Sequence, residues 1–262
     1  MDKRVKEVDI YRDKGGVREG FRDLLVEEIP LTIYLNEKEI VTLLCTPEYL
    51  EDLAVGFLVS EGFIRKKEDL REVKADYDKG MVRVLTSATS VIAESTFLKR
   101  YITTGCGKGT SFYHLTDVRR SKVPDTGLRV SGVEVLSLMK EAQHRSELFL
   151  KTGGVHGTAL CDNRQILVFR EDIGRHNATD KIAGKCFLEG IPLHDKLLLT
   201  TGRVSSEILI KTAKMGISIL VSRSAPTALA VEIAHEAGVT IIGFARGNRF
   251  NIYTHPERVS PS

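Results

Sequence analysis

Residues 196–245 read KLLLTTGRVSSEILIKTAKMGISILVSRSAPTALAVEIAHEAGVTIIGFA, and the rhythm of this stretch decides the fold. Lys196 to Thr201, Ile217 to Ser222 and Val239 to Ala245 are short apolar runs that predict strands. Between them, one helix runs from about Ser205 to Met215 and stops at Gly216, and another runs from Thr227 to Ala237 and stops at Gly238. Short apolar strands separated by amphipathic helices imply a mostly parallel sheet covered on both faces.

Upstream the pattern continues. Ser131 with Glu134 forms a capping box that opens a helix to about Leu148. Val155 to Cys161 and Gln165 to Arg170 flank the turn Asp162-Asn163-Arg164, and a helix beginning near Asn177 and Asp180 stops at Gly190 before Pro192. The order of helix, two strands, then three helix-strand units resembles the cytidine-deaminase-like fold, a three-layer αβα arrangement. Zinc enzymes of that fold carry H-x-E on one helix and P-C-x-x-C at the start of the next. Here the corresponding positions are Arg175-His176-Asn177 and Arg203-Val204-Ser205-Ser206, so no deaminase zinc site can be assembled in that way and no resident metal is expected.

In such sheets ligands bind beyond the carboxyl ends of the strands, where helix N-termini attract anions. The loops there read Thr200-Thr201-Gly202-Arg203-Val204-Ser205-Ser206, Ser222-Arg223-Ser224-Ala225-Pro226-Thr227 and Phe244-Ala245-Arg246-Gly247-Asn248-Arg249. Four arginines converging on one edge fit a phosphate or diphosphate ligand. The plainer reading makes Ser205 and Thr227 simple caps and the arginines solvated. His156 and His176 stand among glycines and charges near strand ends, open to roles as metal ligand, general base or hydrogen-bonding partner.

The first half predicts a small α+β domain. Pro30 to Leu35 and Ile40 to Cys45 form a hairpin across Asn36-Glu37-Lys38, and Val73 to Tyr77 pairs with Met81 to Leu85 across Asp78-Lys79-Gly80. Between the hairpins a helix capped by Thr46, with Pro47 at its first position, buries Leu50, Leu53, Ala54, Phe57 and Leu58 on one face. The boundary falls in the polar stretch Thr116 to Gly127, giving domains 1–126 and 127–262.

Ahead of that boundary lies Thr103-Thr104-Gly105-Cys106-Gly107-Lys108-Gly109-Thr110. Its glycines strip away the side chains that would bury a sulfur, and Lys108, Lys99 and Arg100 favour the reactive thiolate, so Cys106 suits a nucleophilic or sulfur-carrying role. The competing reading is a surface turn whose thiol is incidental. Cys45, Cys161 and Cys186 fall in regular elements and suit small apolar fillers; with no C-x-x-C the four cysteines suggest neither a disulfide framework nor a zinc finger.

A chain of 262 residues with 42% hydrophobic and 28% charged residues can bury a sizeable core, so disorder is not the default. A formal charge of +3 is too small to imply nucleic-acid binding. The opening Met1-Asp2-Lys3-Arg4-Val5-Lys6-Glu7 has no apolar leader and no run approaches the ~20 residues of a membrane span, so a cytoplasmic location is expected.

Several long motifs then occur in order: residues 54–64, AVGFLVSEGFI; the glycine-flanked Cys106; residues 171–177, EDIGRHN; and the end from Gly243-Phe244 through Tyr253-Thr254-His255-Pro256. With these the chain resembles the FdhD/NarQ family, the sulfurtransferase accessory proteins of formate dehydrogenase. The resemblance implies that a cysteine desulfurase hands sulfur to Cys106 as a persulfide. The sulfur then passes to a molybdenum or tungsten bis(pterin guanine dinucleotide) cofactor before its insertion into the catalytic subunit of formate dehydrogenase. It implies a cofactor-binding segment at Phe244, Ala245, Arg246, Gly247, Asn248 and Arg249, to which Arg203 is added from the neighbouring loop, a site that GDP-like nucleotides could occupy, and a homodimer. One departure stands out: many relatives carry C-G-x-C, whereas Gly109 here replaces the second thiol. Two other classes stay open, a non-enzymatic chaperone for the cofactor and a metal-dependent nucleotide hydrolase using His156, His176 and Asp172.

Overall fold

A computed structural model describes residues 2–87 and 122–261. Its larger sheet is built by β8 (His156–Cys161), β9 (Ile166–Asp172), β10 (Leu197–Thr200), β11 (Ile219–Ser222), β12 (Thr240–Arg246) and β13 (Arg249–Ile252), in the order β13-β12-β11-β10-β8-β9. Strands β10, β11 and β12 pair in parallel, as the helix-strand alternation requires. The expected mostly parallel sheet is nevertheless mixed. Antiparallel pairings join β8 to β10, β9 to β8 and β13 to β12, because tight turns rather than helices make the β8–β9 and β12–β13 connections.

Alternation along the strands sends side chains to two cores. Leu198, Leu220 and Ile241 meet Ile182, Ile208 and Ile233 on one face, under α4 (Arg175–Glu189), α5 (Ser206–Lys214) and α6 (Ala228–Ala237). Leu197, Leu199, Ile219, Val221 and Ile242 meet Val135, Leu138 and Met139 of α2 (Gly132–Arg145) on the other. Full burial of each such side chain contributes about 1.5–3 kcal/mol. The Ser131–Glu134 capping box is present, with Ser131 N donating to Glu134 at 2.6 Å. The helix it opens ends at Arg145, however, and the chain bends at Ser146 into a separate short helix, α3 (Glu147–Thr152). The short β7 (Val130–Ser131) that precedes α2 pairs with β14 (Val259–Ser260).

In the first half, β3 (Ile29–Leu35), β4 (Lys38–Cys45), β5 (Leu70–Asp76) and β6 (Met81–Thr86) form a sheet in the order β4-β3-β6-β5 under α1 (Leu50–Ser60). A largely exposed ribbon, β1 (Val5–Lys14) with β2 (Val17–Val26), precedes it and turns at Gly15-Gly16, both at positive φ. Helix α1 starts later than expected. Thr46 does not cap it; its backbone N–H and its hydroxyl both donate to Asp172 Oδ2, at 3.1 and 3.0 Å.

That contact belongs to a seam between the halves. Helices α1 and α4 cross so closely that a Cβ on Gly56 would lie 1.8 Å from the Asp180 carbonyl oxygen, and one on Gly184 would lie 1.8 Å from that of Asp52. Around the crossing, Arg170 pairs with Asp52 at 2.8 Å, and Asp180 accepts from Lys211 at 2.6 Å and from Ser60 at 2.8 Å. Arg170 also stacks over the Tyr49 ring, 3.8 Å from its centroid.

Candidate functional site

The carboxyl ends of β10, β11 and β12 lie along one edge of the sheet, joined there by the end of β9 and the start of β8, where His156 faces Asp172. The loops on this edge are stitched to one another by backbone. Arg223 N donates to Thr200 O at 3.0 Å, Ser222 Oγ to Gly202 O at 2.7 Å, Val204 N to Ala225 O at 3.1 Å and Phe244 N to Ser224 O at 3.1 Å. Ser205 and Thr227 do cap α5 and α6. The edge is therefore a prearranged surface.

Residues 244–249 form a β-hairpin rather than an open loop, with Arg246 opposite Arg249 across Gly247-Asn248. Gly247 sits at φ +61° and Phe244, unusually for a side-chain-bearing residue, at φ +53° beside a bulge. Gly243 is required at the base: a Cβ there would meet the Tyr253 ring at 2.8 Å and Pro226 Cδ at 3.1 Å. Arg246, Gly247, Asn248 and Arg249 are exposed, Arg246 lies 5.6 Å from the Phe244 ring centroid, and Ala245 is fully buried in the core beneath α2.

The arginines do not gather at one point. Arg246 and Arg249 stand on the hairpin, while Arg203, two strands away on the loop after β10, acts on Arg175 at the start of α4. Arg175 lies across Gly202, where a Cβ would come 2.9 Å from its own Cβ, and burial first and Arg203 second lower its guanidinium pKa. Nε of Arg175 and Nε of Arg223 are buried with no hydrogen-bond partner. His156 is half-buried beside them, and its pKa is pushed down by burial first, then by Arg175, His176 and Arg203. His176 Nε2 is 2.9 Å from Glu207, whose pKa it lowers by hydrogen bonding, and 3.4 Å from Ser205 Oγ. Cations crowded against one another with orphaned donors make a surface complementary to an anion, and the residues present fit a diphosphate-bearing ligand.

The segment Glu171-Asp172-Ile173-Gly174-Arg175-His176-Asn177 splits by role. Glu171 caps α3, accepting from Ser146 Oγ at 2.6 Å and from the backbone of Leu148 and Phe149, each at 3.1 Å. Asp172 is wholly buried and accepts from Lys181, Thr46, Asn177 and Gly174 N, so the carboxylate considered for a metal-dependent hydrolase is a structural anchor. Among the described residues, no three His, Cys, Asp or Glu side chains are placed to share a metal ion. Arg175 was not singled out from sequence as a ligand residue, although an arginine and a histidine in the first turn of a helix, where the dipole disfavours cations, are a readable signal.

Cys45, Cys161 and Cys186 are buried free thiols. Desolvation pushes Cys45 and Cys186 up to about 12 and raises Cys161 as well, so all three are inert fillers. Cys106 and its loop lie outside the described residues. No helix among the described residues is long and apolar enough to cross a membrane.

Comparison with known proteins agrees with this architecture. A model of the FdhD/NarQ family matches residues 26–260. The protein named sulfur carrier protein FdhD from Bacillus subtilis is 45% identical over 251 residues, covering 96% of both chains. Its namesake from Bacillus pumilus is 47% identical over 238 residues, covering 91% of both. The crystal structure of a proposed formate dehydrogenase accessory protein from Desulfotalea psychrophila superposes with a TM-score of 0.82 at 28% identity, over 98% of this chain and 99% of that one. With the family model spanning nearly the whole sequence, this chain belongs to the FdhD/NarQ family.

Proposed function

We propose that this protein is a sulfur carrier for formate dehydrogenase, a sulfurtransferase in which Cys106 takes sulfur from a cysteine desulfurase as a persulfide and passes it to a molybdenum or tungsten bis(pterin guanine dinucleotide) cofactor. One observation carries the choice of residue: the other three cysteines are sealed in hydrophobic packing with raised thiol pKa values, which leaves Cys106 as the sulfur able to react. In the loading step the Cys106 thiolate attacks the terminal sulfur of the donor persulfide. The donor S–S bond breaks, a new one forms on Cys106, and the donor cysteine leaves as thiolate, with no net redox change. Releasing that sulfur as sulfide requires two electrons from an outside thiol, because Gly109 occupies the position of a second loop cysteine.

The hairpin segment Phe244 to Arg249 together with Arg203 is the proposed binding element for the dinucleotide, with Ala245 anchoring it in the core and the exposed arginines along the strand-end edge supporting the contact. In this reading residues 1–126 present the cysteine, residues 127–262 form a cytidine-deaminase-like unit that offers the edge, and the protein acts as a homodimer in the cytoplasm.

The test is mass spectrometry of the intact protein after incubation with a cysteine desulfurase and cysteine. Wild type is expected to gain one sulfur atom and Cys106→Ser none; an undiminished adduct in the variant overturns the proposal. A serine variant that still supports full formate dehydrogenase activity in cells would favour the chaperone reading instead.

A further inference from the structure

The β1–β2 ribbon pairs with no other strand among the described residues, although a two-stranded ribbon is at best marginally stable alone in water. Each of its ten-residue strands spans about 34 Å. Along it Tyr11 is 80% exposed, Val17 61%, Leu25 48% and Phe21 41%. Register and alternation sort the side chains onto two faces. One face carries Glu7, Asp9 and Asp13 from β1 beside Arg18 and Arg22 from β2. The other carries Lys6, Arg12 and Lys14 from β1 beside Glu19 and Asp23 from β2. Each strand therefore shows a single sign of charge on each face. The faces differ in what those charges do. On the first they are paired within the ribbon, Arg22 with Asp9 at 3.2 Å and with Glu7 at 3.6 Å, and Arg18 with Asp13 at 3.8 Å. Val26 on that face also lies against the chain after α3, where a Cβ on Gly154 would come 2.7 Å from it. On the second face Lys6, Lys14, Glu19 and Asp23 have no ion-pair partner among the described residues, and Arg12 lies over the Phe21 ring, 3.6 Å from its centroid. Val8, Ile10, Val17, Phe21 and Leu25 stand among these charges.

We propose that this second face is an interface with a second copy of the chain, ribbon stacked on ribbon about a two-fold axis parallel to the strands. That axis lays β1 of one copy over β2 of the other at the same height. Arg12 of each copy then faces Glu19 of the other, and Ile10 of each faces Phe21 of the other. The charges select this arrangement. A two-fold axis across the strands would stack β1 on β1 and β2 on β2, and antiparallel edge-to-edge pairing would set either strand beside its own copy; both bring like charges together. They also select the occupant. Lys6, Arg12, Lys14, Arg18 and Arg22 balance Glu7, Asp9, Asp13, Glu19 and Asp23, so the ribbon has no net charge to draw it to a strongly acidic or basic partner, whereas each strand's sign on the open face matches the other strand of a second copy. The inference rests on the homodimer of the proposed function and on no other part of that reading; neither Cys106 nor the dinucleotide enters it.

The experiment is sedimentation velocity of the full chain over a range of concentrations, using wild type, Arg12→Glu, Glu19→Arg, Phe21→Ser and Tyr11→Ser. Wild type should dimerise. Arg12→Glu and Glu19→Arg each set like charges opposite one another at two symmetry-related places, and each should weaken dimerisation by roughly tenfold or more. An equimolar mixture of those two variants should dimerise again. In the mixed pair the new acid at position 12 meets the new base at position 19, and the native Arg12 and Glu19 meet at the other end of the two-fold. A fault inside one ribbon is not repaired by mixing, so the rescue separates a lost interface from a lost fold. Phe21→Ser should weaken the dimer comparably, while Tyr11→Ser, on the opposite face, leaves it within a small factor. A dimer that persists undiminished in Arg12→Glu, Glu19→Arg and Phe21→Ser overturns the ribbon interface and leaves the homodimer standing elsewhere. Loss without rescue in the mixture overturns the face-to-face arrangement, and equal loss in Tyr11→Ser overturns the choice of face. A wild type that stays monomeric removes the homodimer and the interface together; a ribbon that such a monomer needs only to bind formate dehydrogenase belongs to that partner and overturns the second copy as its occupant.

Discussion

Lys181 Nζ lies 2.7 Å from Asp172 Oδ2 inside the protein, and neither side chain touches solvent. The ammonium also donates to Thr46 Oγ1 at 2.7 Å and to the Glu171 carbonyl at 3.2 Å, while Asp172 Oδ1 accepts from Asn177 and Gly174 N. This pair therefore fixes the entry to α4, where Arg175 and His176 sit, and ties it to the end of the first hairpin at Thr46.

Lys181→Met should destabilise the protein by about 3–5 kcal/mol, because it strands the Asp172 carboxylate without its counter-charge. Urea unfolding followed by far-UV circular dichroism measures the loss. A midpoint indistinguishable from wild type would show that the pair is not the anchor described here.

Gly56→Ala should be at least as damaging for its size. Its new methyl group would lie 1.8 Å from the Asp180 carbonyl, a backbone atom that can give way only if α1 and α4 separate. Overpacking of this kind costs about 1–3 kcal/mol or more, and the melting temperature should fall for both Gly56→Ala and Gly184→Ala, whereas Gly62→Ala, whose added methyl meets nothing within 4 Å, tests backbone strain alone.

Thiol labelling separates the cysteines. Under native conditions a small alkylating reagent should modify Cys106 and spare Cys45, Cys161 and Cys186, since desolvation raises the pKa of each buried thiol. Peptide mapping after labelling, with and without denaturant, reads this directly. Fast native modification of any of the three would contradict their placement.

His156 should titrate below the ordinary 6.5, and its signal in an NMR pH titration reports this. Burial, Arg175, His176 and Arg203 oppose its protonation, and Asp172 alone among the nearby charges favours it. Because the folded value is depressed, the associated stability is present above 6.5 and declines as pH falls through the folded value.

What could be read from sequence was local. Ser131 with Glu134, Ser205 and Thr227 announce their helices because cap and helix lie within a few residues of each other. Strand β13 escaped because it is short and exposed, so no apolar alternation marks it, and Gly247-Asn248 looked like a ligand loop when it is also a hairpin turn. The β1–β2 ribbon is likewise exposed, its apolar Tyr11, Val17, Phe21 and Leu25 mixed with charges without a core-facing alternation, and Gly15-Gly16 is its clearest cue. Thr46 suited a cap by position, yet its partner Asp172 is 126 residues away. No local pattern could pair them. The site divided along the same line: the arginines of the edge loops were visible, but the packing of Arg175 against Gly202 depends on how α4 meets the sheet.

The glycine contact between α1 and α4 carries a consequence for descent. Residues on both sides of residues 88–121 must keep complementary partners at once: Gly56 with Gly184, Asp52 with Arg170, Thr46 with Asp172 and Ser60 with Asp180. A chimera joining the first part of one relative to the second part of another should survive only when these couples are matched, so the two parts are bound to be inherited as a single unit.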